Sequence, residues 1–324
     1  MDLAQVRLLV QEDWAALQDF MGRILGSNVK MLQSLNAEVL SHAGKQLRPL
    51  LCLLSARACS GKSNESTLRY AAACELLHNA TLLHDDVADE SDLRRGRPTV
   101  RSLMGPAVSV LLGDYWLARA VESIAGDEQC NREVISIYAR TLGNLSEGEM
   151  FQLEKAASGD TDEQDYIRII YGKTASLFEA SALSGACSVG ACHAQKQAAA
   201  NYAKNIGIAF QIRDDIFDYS PSLNTGKPSL ADVEEKKITL PLLGAFKLSD
   251  HQLEEEIRAE IVEQRPGVKE KVMEYVCRYG GVQYAQQKLN EYIQNAVNAL
   301  VHFEDSPYKE AMKCLAEYVA IREV

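Results

Sequence analysis

Apolar positions recur with helical spacing along almost the whole chain, whereas convincing runs of alternating apolar and polar residues, typical of strands, are absent. Ala, Leu and small residues are frequent in these segments, which favours closely packed helices. Most of the eight prolines lie at plausible helix boundaries. Because no linker-like change of composition interrupts the pattern, we predict an all-α protein with roughly a dozen helices in a single domain, residues 1–324.

Composition and charge narrow the class of protein. The chain has 324 residues, of which 47% are hydrophobic and 24% charged, as in ordinary globular proteins. A net charge of −11 argues against a nucleic-acid partner. No apolar run is long enough for a transmembrane segment, and the N-terminus lacks the order of a signal peptide. With no C-x-x-C pair among eight cysteines, we expect reduced thiols and a cytoplasmic location.

Two acidic clusters of identical spacing follow two of the apolar segments. The sequence D-D-V-A-D at 85–89 follows residues 71–83, and D-D-I-F-D at 214–218 follows residues 202–212. A single acidic run at a helix end is usually a solvated terminus. The repetition after two segments with a buried pattern favours a shared chemical role instead.

The spacing within each cluster indicates a metal site. Positions i and i+4 of a helix share a face, so Asp85 projects with Asp89, and Asp214 projects with Asp218. Like charges at this spacing destabilise a bare helix and require a counter-cation. Hard oxygen ligands favour Mg²⁺. If the two clusters face each other, they form a cage for magnesium ions that hold phosphate oxygens.

Basic residues follow each acidic cluster. The loop 91–99 carries three arginines and the loop 218–237 carries three lysines: Arg94, Arg95, Arg97, Lys227, Lys236 and Lys237. A site that binds Mg²⁺ and diphosphate together needs both signs of charge, with Arg forks on the oxygens. The combination predicts a diphosphate site.

Further basic residues are ambiguous when each is taken alone. Lys45 and Arg48 are close enough to share one anion, but they also fit an ordinary basic loop. Lys173 stands beside Thr174 in an Ala-, Ser- and Leu-rich helix, where a surface lysine is the alternative. His78 lies two turns before the first cluster, where a core histidine is the alternative. Counted with the acidic pairs, these residues favour the diphosphate site.

The motifs together resemble the trans-isoprenyl diphosphate synthases, or polyprenyl synthetases. The matching segments are G-K-Q-L-R-P at 44–49, L-L-H-D-D-V-A-D-E-S-D-L-R-R-G-R-P-T at 82–99, G-D-Y at 113–115, K-T at 173–174, F-Q-I-R-D-D-I-F-D-Y at 210–219, G-K-P at 226–228 and K-I-T-L-P-L-L at 237–243. The resemblance implies the isoprenoid synthase fold, with helices around a central catalytic cavity, and a homodimer. It is closest to medium- and long-chain enzymes such as octaprenyl diphosphate synthase.

The resemblance also implies a metal set. Asp85 and Asp89 would ligate two Mg²⁺ ions on an allylic diphosphate, with Asp86 in support. Asp214 would hold a third Mg²⁺, and Asp218 would act through water or outer contacts. These assignments apply to matching positions only.

The substrate-binding residues implied by the resemblance form three groups. Isopentenyl diphosphate would be held by Lys45, Arg48, His78 and Arg95. The allylic diphosphate would be held by Arg94, Lys173, Lys227 and Lys237. Near the developing carbocation would lie Thr174 and Gln211.

The expected reaction is a Mg²⁺-dependent head-to-tail (1′-4) condensation. The cations stabilise diphosphate as a leaving group, the allylic C–O bond ionises, and the double bond of isopentenyl diphosphate attacks the cation. A proton is then lost to the departing diphosphate. No protein nucleophile is needed, and no G-x-S-x-G motif is found. Contact with a membrane for product release stays open.

Other functions remain as alternatives. A class I terpene cyclase also ionises a prenyl diphosphate, but its second metal motif usually mixes Asn, Ser or Thr with acid. A partner subunit of a heteromeric synthase should have degraded clusters, whereas both clusters here are intact. The favoured product is a medium-to-long all-trans chain, octaprenyl-like, with geranylgeranyl or farnesyl diphosphate as the alternatives.

Three positions depart from the family pattern. Ala43 stands where a second glycine often precedes Gly44, and Arg213 stands where a small apolar residue is common. Arg213 would either pair with an acid or add positive charge near the diphosphate. The family pattern D-x-x-x-G-K reads D-V-E-E-K-K at 232–237, so Lys236 replaces a glycine.

The helix before the first cluster predicts product length. In the family, bulky aromatics four and five residues before the first aspartate block elongation, whereas Thr81 and Ala80 are small here. The predicted tunnel face continues through Leu77, Cys74 and Tyr70. From Thr81 to Tyr70 the helix rises about 16 Å, room for several isoprene units. The floor would be Tyr70 or Trp116 on the helix 113–120, unless both are simply core residues.

Overall fold

The computed structural model describes residues 2–42, 44–94, 96–128, 132–219 and 230–322. Two predicted site residues, Arg95 and Lys227, lie outside these ranges. The α-helices are, in chain order, α1 Leu3–Leu8, α2 Gln11–Ile24, α3 Lys30–Ser41, α4 Leu47–Ser60, α5 Glu65–Ala88, α6 Val100–Met104, α7 Pro106–Ala125, α8 Arg132–Ser158, α9 Glu163–Ile170, α10 Ser176–Ser188, α11 His193–Asp218, α12 Ala231–Glu234, α13 Leu240–Leu248, α14 His251–Glu263, α15 Val268–Arg278, α16 Gly281–Ala299 and α17 Pro307–Ile321.

The prediction of an all-helical fold is confirmed. The helices outnumber the predicted dozen because short segments such as α1, α6 and α12 are separate elements. The sequence pattern missed a two-stranded antiparallel hairpin, β1 Leu93–Arg94 and β2 Arg97–Pro98, within the basic loop after the first acidic cluster. Two-residue strands are too short to show a period of two. No helix of the described ranges is long and apolar enough to cross a membrane.

The chain divides into two compact units. Unit one comprises Met1–Ala139, Ala180–Ala200 and Val301–Cys314, and unit two comprises Arg140–Glu179, Asn201–Leu300 and Leu315–Val324. The first acidic cluster belongs to unit one and the second to unit two. The expectation of one domain over the whole chain stays a prediction.

In unit one, α5 packs on α4 and on α7. Asn64 and Thr67 form a capping box that starts α5, and they satisfy backbone N–H groups that have no partner within the helix. Most of α5 is buried, because Ala- and Leu-rich positions cover nearly all of its circumference. Small residues allow close packing elsewhere in the unit: Gly185 of α10 lies directly against the backbone of Cys52 in α4.

In unit two, the buried apolar helix α13 packs on α15 and α16. Its N-cap is Thr239, and Pro241 lies in its first turn. Tyr284 covers Gly244, and Gly281 lies against the carbonyl of Pro241. A π-helical turn, Tyr171–Ala175, joins α9 to α10. Single π-turns are uncommon and often mark functional positions. This turn carries the predicted residues Lys173 and Thr174.

Replacing Gly185 by Ala is expected to lower the free energy of unfolding by about 2 kcal/mol, because the new Cβ would overlap the Cys52 carbonyl oxygen and force α10 from α4. Urea unfolding measures this change. The matched control is Gly143→Ala in α8, which has open space around it and should raise stability by about 0.5–1 kcal/mol. Equal effects of the two changes would contradict the packing argument.

Candidate active site

The first acidic cluster lies at the C-terminal end of α5. Asp85 is half-buried, and Asp89 is the exposed C-cap, whose N–H donates to the Asp85 carbonyl at 2.8 Å. The C-terminal end of a helix is the negative end of its dipole, which disfavours carboxylates there. The cluster therefore stands where a bound cation would relieve both the dipole and the charge repulsion.

Asp86, between the two predicted ligands, has a different environment. It is only 4% exposed, and Nε of Arg94 from β1 donates to its Oδ1 at 2.8 Å. Burial raises the pKa of Asp86, and the charge of Arg94 opposes that change. Asp86 thus anchors the hairpin to the end of α5, in keeping with a supporting role. Arg94, predicted to hold diphosphate, is positioned by this pair.

The second acidic cluster ends α11, again at the negative end of a helix. The carboxylate of Asp218 accepts the backbone N–H groups of Ala231 at 3.0 Å and Asp232 at 3.2 Å. It therefore holds the start of α12, and its outer role at a metal stays a prediction. Asp215 is buried, and the Asp214 side chain is 41% exposed. Asp214 is thus more accessible than Asp215.

Arg322, near the C-terminus, was not identified from the sequence. Its Nη2 donates to Asp214 Oδ1 at 2.5 Å and to the Phe210 carbonyl at 3.0 Å, and its guanidinium lies 3.8 Å over the Phe210 ring. Arg213 donates to the Arg322 carbonyl and lies 4.6 Å over the Phe217 ring. Arg213 therefore anchors the C-terminal segment, a role beyond the two alternatives considered for it.

Lys173 is held by two residues of α8. Its Nζ donates to Gln152 Oε1 at 3.0 Å and forms an ion pair with Glu149. Gly148 and Gly172 allow this approach, because a Cβ on Gly148 would come 3.0 Å from the Gly172 backbone. The lysine side chain is therefore held in one place by a carboxylate and an amide, and its role in diphosphate binding stays a prediction.

A chain of hydrogen bonds continues from the neighbouring residue. Thr174 Oγ1 donates to Gln211 Oε1 at 2.9 Å, and Gln211 Nε2 donates to Asp215 Oδ1 at 2.9 Å. Tyr166 Oη donates to Asp215 Oδ2 at 2.6 Å. The structure thus brings the predicted residues Thr174 and Gln211 together and adds two that the sequence did not indicate.

The buried carboxyl of this chain is strongly perturbed. Burial raises the pKa of Asp215 well above its ordinary value, and the nearby charge of Asp232 acts in the same direction. The hydrogen bonds from Tyr166 and Gln211 oppose it. Burial likewise raises the pKa of the Tyr166 hydroxyl, which stays a donor.

Lys45 and Arg48 lie at the start of α4. Gln46, between them, has a left-handed backbone with φ of 43°, and Arg7 of α1 donates to the Lys45 carbonyl at 2.5 Å. His78 is half-buried on α5 in the same unit. Burial raises the pKa of the Cys74 thiol to about 11, and the charge of Arg48 opposes this, so Arg48 lies near the predicted tunnel face.

The predicted chain-length residues are mostly buried. Ala80, Leu77 and Cys74 have almost no exposure, whereas Thr81 is half-buried and donates to the His78 carbonyl at 2.8 Å. The structure does not test their role in product length, which stays a prediction.

Both predicted floor residues are hydrogen-bonded in the core. Trp116 Nε1 donates to Asn36 at 2.8 Å, and Tyr70 Oη donates to Asp127. A third aromatic, Tyr138 of α8, was missed, although its Oη lies 3.1 Å from the Cys74 sulfur. Nothing in its sequence neighbourhood indicates that proximity.

Lys237 follows an unusual backbone position. Lys236 has φ of 59°, the left-handed conformation that glycine adopts without steric cost. The Lys237 N–H donates to the Asp232 carbonyl at 2.8 Å, closing the end of α12. Lys236 therefore adopts a backbone conformation that suits glycine, the residue of the family pattern at this position. The Lys237 side chain forms an ion pair with Glu235.

The carboxylates suit a hard divalent cation, because they are oxygen donors gathered at helix ends that favour positive charge. Within the described ranges, no group of three or more His, Cys, Asp or Glu side chains forms a ready metal site. Substrate oxygens would have to complete the coordination, as is usual for Mg²⁺. The cage made by both clusters stays a prediction.

Known proteins resemble the chain along its whole length. A family model described as polyprenyl synthetase matches residues 29–279. An octaprenyl diphosphate synthase of Haemophilus influenzae is 36% identical, with 98% of this chain and 96% of that protein covered. The crystal structure of a decaprenyl diphosphate synthase from Rhodobacter capsulatus superposes with a TM-score of 0.92 at 34% identity, covering 98% of each chain. A polyprenyl synthase from Caulobacter crescentus, solved with calcium and isoprenyl diphosphate, gives 0.91 at 32% identity, covering 100% and 98%.

Replacing Arg322 by Ala is expected to strengthen Mg²⁺ binding, because the guanidinium and the cation compete for the Asp214 carboxylate. The dissociation constant, measured by titration calorimetry with an unreactive diphosphate analogue present, should fall about threefold. Arg265→Ala removes an exposed arginine that pairs with Glu263 and should leave the constant unchanged. Weaker Mg²⁺ binding by the Arg322 variant would show that this arginine positions Asp214 instead.

Proposed function

The chain belongs to the polyprenyl synthetase family and is a prenyltransferase that condenses isopentenyl diphosphate with an allylic diphosphate, and we propose that its product is octaprenyl-like. Full-length similarity to octaprenyl and decaprenyl diphosphate synthases carries this proposal. The small residues Thr81 and Ala80 before the first acidic cluster support a product longer than farnesyl or geranylgeranyl diphosphate.

We propose that Asp85, Asp89 and Asp214 hold three Mg²⁺ ions, with Asp218 acting from outside the coordination shell. When bound, these ions neutralise the charge that develops on the diphosphate leaving group. Asp86 keeps Arg94 near the end of α5, through the bond at 2.8 Å.

Cationic side chains complete the proposed binding of both substrates. The allylic diphosphate is bound by Arg94, Lys173, Lys227 and Lys237. Isopentenyl diphosphate is bound by Lys45, Arg48, His78 and Arg95. Gln152 and Glu149 orient Lys173, so that its charge is fixed before the C–O bond ionises. Arg forks and fixed lysines suit diphosphate oxygens.

The growing chain would extend along α5 away from the first cluster. Cys74 lies on the predicted tunnel face, and its side chain contacts the hydroxyl of an aromatic residue, Tyr138. Tyr138, Tyr70 and Trp116 are all hydrogen-bonded in the core, Tyr138 to the Tyr70 carbonyl at 2.8 Å, so Tyr138 joins the other two as a candidate for the floor. From Asp85 back to Cys74 is about 16 Å of helix, the first part of the path of the growing chain.

We also propose a homodimer. In unit one, α6 and α7 expose large apolar side chains that a monomer would leave in water: Leu103, Leu111 and Val121 are 64%, 68% and 51% exposed. A patch of this kind is typical of an association surface. A second copy of the chain is the proposed occupant, and the cytoplasmic location stays a prediction.

The purified chain, given Mg²⁺, radiolabelled isopentenyl diphosphate and farnesyl diphosphate, is expected to make a ladder of polyprenyl diphosphates ending near the octaprenyl product. Dephosphorylation and reversed-phase chromatography read out chain length. EDTA should abolish turnover, and Asp85→Asn should reduce it at least a hundredfold, roughly the contribution of a metal ligand. Hydrocarbon products would favour a cyclase, and inertness of the chain would favour a partner subunit.

Replacing Thr81 by Phe is expected to shorten the main product, because the ring would block the tunnel one turn above Asp85. The same chromatography measures the change. Asn79→Phe places an equal ring on the other side of α5 and should leave the product length unchanged. An unaltered product from the Thr81 variant would refute the tunnel assignment.

A further inference from the structure

Four side chains of unit two form one continuous chain of hydrogen bonds. It runs from Thr174 to Gln211 at 2.9 Å, from Gln211 to Asp215 at 2.9 Å, and from Tyr166 to Asp215 at 2.6 Å. Tyr166, Thr174 and Asp215 are all buried. A buried polar network of this kind is costly unless every member is satisfied, so its geometry is strongly determined.

The direction of each bond is fixed by chemistry. An ionised Asp215 carboxylate can only accept, so its Oδ1 takes a donor from Gln211. The NH₂ of Gln211 therefore faces Asp215, and its carbonyl oxygen faces Thr174. Thr174 in turn donates its hydroxyl proton to that oxygen. Reversing the amide would break the bond to the Asp215 carboxylate and would turn Thr174 from a donor into an acceptor.

This arrangement determines the charge that the two residues can present. A hydroxyl that donates its proton to Gln211 has only lone pairs left for a third group. The exposed part of the Thr174 and Gln211 pair is consequently rich in oxygen lone pairs. Such an environment stabilises positive charge, and inside a protein the effect is stronger than in water.

We propose that Tyr166 and Asp215 are positioning residues that fix the Gln211 amide so that its oxygen and that of Thr174 face the allylic carbocation. This inference rests on the proposed function, because it assumes an allylic diphosphate beside Thr174. Neither residue touches the reacting atoms. Asp215, the middle aspartate of the second cluster, therefore acts on the carbocation by orienting Gln211, whereas Asp214 acts on the diphosphate as a proposed Mg²⁺ ligand.

The neighbouring backbone supports this division. The π-helical turn Tyr171–Ala175 presents Lys173 and Thr174 consecutively, one held by α8 and the other by α11. Ser176 Oγ donates to the Gly172 carbonyl at 2.7 Å, which occupies a backbone acceptor in this turn. Lys173, held by α8, would thus bind the anion, and the adjacent Thr174, held by α11, would stabilise the cation.

The test compares two unreactive analogues of the allylic diphosphate. One carries an ammonium group in place of the cationic carbon, and the other is a neutral thiolodiphosphate; calorimetry with Mg²⁺ gives both dissociation constants. In the Asp215→Asn variant, the NH₂ of the new asparagine can face Gln211, so that the Gln211 amide reverses. It should weaken ammonium-analogue binding about tenfold, and Tyr166→Phe about threefold, with the neutral analogue within about twofold of wild type.

The matched control is Tyr284→Phe. It removes the 2.6 Å hydrogen bond from the Tyr284 hydroxyl to the Glu163 carboxylate, which is not part of the hydrogen-bond chain described above. It should change neither constant. Equal weakening of both analogues, or no weakening of either, in the folded variants would overturn the proposal. If Asp215→Asn fails to fold by circular dichroism, the milder Tyr166→Phe decides by the same criterion.

A parallel elongation assay separates the two levels of inference. A wild-type chain that makes no prenyl product overturns the proposed function and this inference with it. A wild-type chain that elongates, while both variants keep full preference for the ammonium analogue, overturns the positioning role alone.

Discussion

Carboxylates concentrated at the negative ends of two helices are the constraint around which this protein is organised. The dipoles of α5 and α11 and the mutual repulsion of the aspartates both oppose the arrangement. A sequence selected for stability alone would place cations there. The electrostatic field at both helix ends is therefore unfavourable for the carboxylates, and the proposed binding of divalent cations with a diphosphate would make it favourable.

The structure gives each aspartate a different partner, and the partner determines its role. Asp86 is paired with Arg94, Asp218 accepts the N–H groups that start α12, and Asp215 is buried with a tyrosine and an amide. These contacts engage oxygens of three carboxylates, whereas Asp85 and Asp89 are the proposed metal ligands of the first cluster. Identical spacing in the sequence thus hides different local environments of the aspartates.

Periodicity and spacing predicted much of this, because they are local properties. Helical period gave the all-α fold, and the i, i+4 rule placed Asp85 with Asp89. The missed partners are distant in sequence: Arg322 is 108 residues from Asp214, and Tyr166 is 49 from Asp215. Only tertiary packing brings such pairs together. The left-handed Lys236 is a related case, since propensity predicts glycine there and the closing hydrogen bond of α12 overrides it.

In the proposed function, α5 contributes to both product length and the ionisation step, and there is a physical reason for joining them. A helix that ends in metal ligands must be held rigidly, because small displacements of a ligand are costly, and α5 gains that rigidity from burial on nearly all sides. A rigid helix also gives the proposed tunnel a wall of fixed length. Its small residues near Asp85 leave room at the start of the proposed tunnel, and Tyr138 lies beside Cys74 further along. Arg48, whose charge reaches Cys74, ties the proposed isopentenyl diphosphate site to the same helix. A change in packing at the far end of α5 should therefore affect turnover as well as product length.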